Sequence, residues 1–244
     1  MDASERIDVE VDEFGVPYGE ESCLLSSFLG TIAKNNTLTP LSIENWKRKE
    51  FKPFKRQILS LTKSKFRYPV CLERWILQLV DKKWVDFKYD LKSKHFDVGK
   101  TVESIMEEGL PEGVTDANQW YTLVASWFSK ENKKRSAVNR ANAKKKNVFH
   151  TGGRRSIART RKRLKEKLGR TPTRLEVFEA NHKRKDGTYI NDHAKEFMDK
   201  ANEMEGPSEE VFQKLAGPEH PGRLRCIWGC QYCPIFGFSS FLMP

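Results

Sequence analysis

Phosphate recognition is the chemistry for which this sequence is best supplied. From Lys130 to Arg170 stand seventeen Lys and Arg against two acids, Glu131 and Glu166. The whole chain carries +11, so the surplus is concentrated here and the remainder is slightly acidic in sum. An ordinary solvated helix face mixes both signs, and this block does not. Each phosphate neutralised by Lys or Arg releases a counterion, so a dense cationic segment suits a polyanion. Lys144, Lys145, Lys146, Arg154, Arg155, Arg159, Arg161, Lys162 and Arg163 are the candidate phosphate contacts, with His150 beside them. Asn139 and Arg140 are the candidates for base edges, which Asn and Arg read with paired hydrogen bonds. His150-Thr-Gly-Gly153 followed by Arg154-Arg155 reads as an anion-nest turn that aims two arginines at phosphate. It is not a nucleotide loop, having neither the Gly-Lys-Ser/Thr ending nor a preceding apolar strand. Lys133-Lys134-Arg135 and Arg159 to Arg163 also fit a nuclear-import signal, so the nucleus is the expected address.

Other chemistries find less support. Asp81, Asp86, Asp90, Asp97, Asp186 and Asp192 do not sit at the ends of apolar strands, where two-metal carboxylate sites are usually built. None is nominated, and a metal-dependent nuclease is the least favoured class. Cys226-x3-Cys230-x2-Cys233, with Tyr232 before the last thiol, has the spacing that holds an iron–sulfur cluster in radical enzymes. That chemistry needs a large α/β barrel after the motif, and eleven residues follow Cys233. The three thiolates with His220 also offer four zinc ligands. The favoured reading is an irregular tail in which the thiols are incidental, so no metal, cofactor or small-molecule substrate is expected. His182 and His193 fall on predicted helices and read as structural or exposed.

The elements that must position the basic block are helical. Leu24, Leu25, Phe28, Leu29 and Ile32 recur at helical spacing. Leu72, Trp75, Ile76, Leu79, Val80, Trp84, Phe87 and Leu91 make one long stripe, with Lys82, Lys83, Lys88 and Lys92 on a basic outer face. Asp116 caps a helix whose apolar face is Trp120, Leu123, Val124, Trp127 and Phe128. Beyond Lys130 the apolar residues stop. That stretch is rich in good helix formers but has no face to hold it to a core, and is expected to order on meeting an anion. Ser156 to Leu168 is a basic helix ended by Gly169. The next begins at Thr171-Pro172, or at Thr173 with Glu176 as a capping box. Asn191 caps a helix through Ala201, and Gly206-Pro207 closes it. No apolar run approaches the roughly 18 residues of a membrane span. The acidic N-terminus, eight acids against Arg6 through Glu21, lacks a secretory apolar region, so an intracellular address is expected.

The fold class is therefore all-α: small helical domains with a disordered acidic N-terminus, a basic helical segment and a poorly ordered C-terminal tail. The expected boundaries are an acidic tail over 1–20, an aromatic-rich helical domain over 21–130, a basic DNA-binding region over 131–205 and an irregular tail over 206–244.

An ordered string of motifs resembles a known family. Trp120-x6-Trp127, Ser136-x2-Asn139-Arg140, His150-Thr-Gly-Gly153 with Ser156, Gly169-x2-Pro172, Glu176-x-Phe178, Asn181-His182 and Lys185-Asp186-Gly187 are similar to the plant En/Spm-like (Ptta) transposase-associated family. Trp75, Trp84, Lys88-x2-Leu91-Lys92 and Phe96 upstream, and Gly217-Pro-Glu219 with Gly222-Arg-Leu-Arg225 downstream, extend the resemblance over roughly residues 15 to 228. Asn142-Ala143, Asn181 and Cys226 depart from it, the last standing where glycine is usual. The resemblance implies a transposon-derived, DNA-binding accessory protein whose strand-cutting enzyme is a different chain. Double-stranded DNA is the expected partner, with a transposase or a second copy of the chain as protein partners and no membrane. The alternative is a protein–protein adaptor in a transposition or chromatin complex, its basic block meeting an acidic partner and, in the free state, its own N-terminal acids.

Overall fold

The computed structural model describes residues 6–12, 15–144, 156–218 and 226. Ten α-helices and a two-stranded parallel sheet make up the described secondary structure, with one short 3₁₀ turn. The chain divides into two compact units. The first takes residues 1–9 and 20–144, the second 10–19 and 145–244.

In the first unit, α1 (Gly19–Lys34), α2 (Lys52–Lys65), α3 (Leu72–His95), α4 (Val102–Glu107), α5 (Ala117–Phe128) and α6 (Lys130–Lys144) follow in order. The predicted stripe on α3 is the spine of the core. Leu72, Ile76, Val80, Trp84, Phe87 and Leu91 are buried, repeating at three or four residues, while Trp75 and Leu79 lie at its margin. Phe51 meets the Trp84 ring edge-on at 5.0 Å between centroids, and Trp120 meets Trp127 at 5.5 Å. Edge-to-face geometry suits the ring quadrupoles. Asp116 caps α5 by accepting from the N–H groups of Asn118 and Gln119. Gln119 in turn fixes the connector after α1, accepting from Leu41 N at 2.8 Å and donating to the Asn36 carbonyl at 3.3 Å.

The acidic N-terminal stretch is more ordered than its composition predicts. β1 (Ile7–Asp8) pairs in parallel with β2 (Phe66–Arg67), and Val9 beside it is buried. Val11 bridges Pro17 in a tight turn within the second unit, where Asp12 accepts from Val16 N and Val16 is buried. Scattered valines among acids leave no periodic signal, yet they are enough to anchor two short segments. The tail expected over 1–20 is thus divided between the two units, and the basic region expected from 131 is divided at Lys144.

The second unit holds α7 (Ile157–Leu168), α8 (Arg174–His182), α9 (Asp192–Glu203) and α10 (Ser208–Ala216). Helix α8 packs against each of the other three. Phe178, Ala194, Met198 and Phe212 form the core, with Leu175, Tyr189, Ile190, Phe197 and Cys226 against it. Part of the region expected to be an irregular tail is therefore core: Val211 and Phe212 of α10 are buried. The caps match the sequence signals. Gly169 ends α7 with φ 68°, and Thr173 and Glu176 close a reciprocal capping box on α8. Asn191 accepts from Ala194 N at the start of α9. His182 is a structural histidine, buried with its Nδ1 2.7 Å from the Phe178 carbonyl and its ring stacked on Phe178. Cys226, standing where the family resemblance favours glycine, has φ 61°, a region that side chains disfavour by about 1–2 kcal/mol.

Helix α7 has little apolar surface to dock with. Its inward face is Ala158, Thr160 and Arg161. Thr160 Oγ1 donates to Asn181 Oδ1 at 3.4 Å, and Arg161 forms an ion pair with Asp12, both side chains almost fully buried. Breaking one side of a buried pair strands the other charge at about 3–5 kcal/mol. Asp12→Ala is therefore expected to destabilise the second unit by about that amount. Replacing both partners by apolar residues (Asp12→Leu with Arg161→Met) is expected to recover most of the loss, and Arg163→Ala on the exposed face to change stability by less than about 0.5 kcal/mol. Hydrogen exchange of the α7 and α8 amides reads all three variants. Equal effects of Asp12→Ala and Arg163→Ala would remove the case for the pair.

Acid should loosen the same unit at a second point. The Arg170 guanidinium bonds the Glu176 carboxylate and, with the Thr173 N–H and hydroxyl, holds its pKa down to about 2 from an ordinary 4.5. A carboxyl depressed in the fold stabilises it above its ordinary pKa, and that contribution is lost as pH falls toward the depressed value. The loss therefore falls between about pH 4.5 and 2. Thermal melts across this window should fall more steeply for the wild type than for Glu176→Gln, and parallel curves would refute the assignment.

Candidate nucleic-acid interface

Each unit presents one helix of the basic block, α6 in the first and α7 in the second. In the first, α6 carries six cations and Glu131 over fifteen residues, and none of its side chains is buried. Ala, Lys and Arg favour the helical backbone without a packing partner, and the N-terminal end is tied down. Ser129 Oγ accepts from Asn132 N, Asn132 Nδ2 donates to the Ser126 carbonyl at 2.6 Å, and Arg135 bonds Glu44 at 3.0 Å. Asn139, Arg140 and Lys144 lie beyond these ties and face solvent. The segment expected to order only with an anion is helical to Lys144.

In the second unit, α7 turns Arg159, Lys162 and Arg163 outward. Lys162 Nζ rests 4.2 Å from the centre of the Tyr18 ring, a cation–π contact that orients the side chain while leaving its charge available. Arg161 is placed differently from the phosphate contact expected of it. It is 4% exposed and paired with Asp12, because a helix with so thin an apolar edge docks through a polar residue. Lys145, Lys146, His150, Arg154 and Arg155 lie outside the described residues, as do Cys230, Cys233 and His220. Among the described residues no group of three or more His, Cys, Asp or Glu is placed to hold a metal ion.

A third basic element goes beyond the residues nominated by sequence. Lys183 bridges Tyr189 across a tight turn closed by Asp186, whose carboxylate accepts from the Thr188 N–H and hydroxyl. Arg184 and Lys185 are exposed on it. The hydrogen bond between Thr160 and Asn181 puts the start of α7 beside the end of α8, so this turn leaves α8 at the end where α7 begins. Its signal in the sequence is three consecutive basic residues before Asp-Gly, a pattern in which the turn is more conspicuous than the charge.

Comparison with known families adds the remaining constraint. A family model described as plant transposase (Ptta/En/Spm family) matches residues 116–232. No curated protein and no solved structure matches the chain. The match opens at Asp116, the cap of α5, and runs through α6 into α7–α10. It includes every sequence-nominated contact and leaves out the Asp12 turn and α1–α4. Residues 116–232 are thus similar to the plant transposase family of the Ptta/En/Spm type.

Proposed function

We propose that this chain is a transposon-derived, nuclear DNA-binding protein that contacts the phosphates of duplex DNA through α6 and α7 and acts as an accessory to a separate strand-cutting enzyme. The observation that carries the reading is α6, a fifteen-residue helix with no buried side chain and six cations. A helix with no packing role and a charge of one sign is suited to a polyanion surface. The exposed face of α7 repeats the pattern, and the family match brings both helices within a transposase segment. Asn139 and Arg140 supply the base-reading chemistry, within the part of α6 that lies beyond its ties. The acidic turn docked through Asp12 on α7 favours one second reading, an adaptor whose basic helices meet an acidic protein segment.

Fluorescence anisotropy with a labelled duplex of about 30 base pairs separates the two. If six or more phosphates are contacted, affinity should fall roughly a thousandfold or more between about 50 and 200 mM salt. Replacing Arg140, Lys144, Arg159 and Arg163 together by Ala should flatten the log–log slope by up to about 0.9 for each phosphate no longer neutralised. Absence of binding to duplex, single-stranded DNA and RNA at low salt overturns the proposal and leaves the adaptor.

A further inference from the structure

A second run of cations stands upstream of the basic block. From Lys47 to Arg67 there are nine Lys and Arg against one acid, Glu50. Helix α2 holds five of them, Lys52, Lys55, Arg56, Lys63 and Lys65, and no acid over its fourteen residues. Among the described helices it is the one that has cations without a carboxylate, since α6 has Glu131 and α7 has Glu166. The 3₁₀ turn Lys49–Phe51 leads into it.

The fold sorts these cations into two groups. Phe51, Ile58 and Thr62 are buried. At about 100° per residue they fall on one side of the helix. Lys49, Lys52, Arg56 and Ser60 fall on the opposite side, and all four are exposed. The cations off this face serve the fold. Lys55 Nζ donates to the Trp46 carbonyl at 2.7 Å. Lys63 pairs with Glu73 at 2.5 Å, Arg67 with Asp8 at 3.2 Å and Arg48 with Glu44 at 3.4 Å. Lys49, Lys52 and Arg56 are left without a carboxylate partner among the described residues.

Two local rules run against this arrangement. Like charges at i and i+4, as at Lys52 and Arg56, disfavour a helix. The first turn of a helix favours acids, and the first turn of α2 has none. Exposed faces elsewhere in the fold mix signs, as on α9 with Asp192, Lys195, Glu196, Asp199 and Lys200. The placement of the α2 face matters as well. Glu44 bonds both Arg48, just before the 3₁₀ turn, and Arg135 of α6, the latter at 3.0 Å. The cations ahead of α2 therefore begin beside the anchored half of α6.

We propose that Lys49, Lys52 and Arg56 form a further phosphate-contacting surface, which takes the backbone of the same DNA. The inference rests on the DNA-binding reading and extends its footprint to α2, upstream of the family match. Lys49 to Arg56 covers roughly 12 Å of helix axis, a length over which one strand of a duplex carries about three phosphates. Each of the three cations can then meet one phosphate, and Ser60 on the same face offers a hydroxyl of the kind that also bonds phosphate oxygens.

The test uses the full chain carrying Lys49→Gln, Lys52→Gln and Arg56→Gln. Lys195→Gln, Lys200→Gln and Lys214→Gln, exposed on α9 and α10, make a control of equal charge. The α2 variant should bind duplex DNA more weakly than the control, with a log–log salt slope flatter than wild type by up to about 2.7, near 0.9 for each phosphate left without its cation. A second readout needs no variant. Amine-reactive labelling of the wild type, read by mass spectrometry, should slow at Lys49 and Lys52 when duplex is added, while Lys195 and Lys200 keep their rates. A wild type that binds duplex with Lys49 and Lys52 unprotected, or an α2 variant whose slope matches that of the control, makes α2 an ordinary solvated face and overturns this extension alone. A wild type that binds no nucleic acid overturns both the extension and the reading beneath it.

Discussion

Helix α7 can dock only because Arg161 is neutralised inside the fold. Along its length the apolar edge is too thin to bury the helix by itself, and the inward positions include a guanidinium. Removing a charge from water costs several kcal/mol unless a partner of opposite sign and good geometry meets it. That partner is Asp12, 149 residues earlier in the chain, held in a turn that Val16 anchors by burial. The acidic N-terminal segment is thereby a structural part of the unit that carries the basic helix. The family-matched segment starts at Asp116, so its α7 relies on a charge that the match does not contain.

The two basic helices solve the same problem differently. Helix α6 avoids desolvation by burying nothing and relies on backbone propensity and ties in its first half. Helix α7 commits one cation to the interior and leaves the others in water. In both, the residues beyond the anchoring contacts are the exposed ones: Asn139, Arg140 and Lys144 on one, Arg159, Lys162 and Arg163 on the other. Anchoring and display are separated along α6 and around α7. A surface for a polyanion needs cations that folding has left in solvent, and each helix retains them.

The legible parts of the fold were those with local causes. The stripes on α3 and α5 follow from burial every three or four residues. Asp116, Gly169, Thr173 with Glu176, and Asn191 mark helix ends because orphaned backbone groups need particular partners there. The rest depended on contacts distant in sequence. Periodicity places Lys88 on the polar side of α3, but it carries no information on Glu44 or Arg135, whose approach makes that side an internal seam. Nor does it distinguish Arg161 from Arg163, two residues apart on one helix and opposite in burial. Composition makes residues 6–12 part of a tail because acids dominate, although two short anchors suffice to dock them. Basic character was legible in the sequence, but which cations the fold would use for itself was not.

That division has a consequence for how the surplus charge is tolerated. A chain at +11 repels itself, and the effect is strongest where like charges are desolvated together. The fold disposes of Arg161 and Arg174 by pairing each buried guanidinium with a carboxylate, Asp12 and Glu209. At Lys88 and Arg135 the opposing charge comes from Glu44, whose carbonyl accepts from the ammonium and whose carboxylate pairs with the guanidinium. The same electrostatics that set Asp12 against Arg161 thus set Glu44 between Lys88 of α3 and Arg135 of α6.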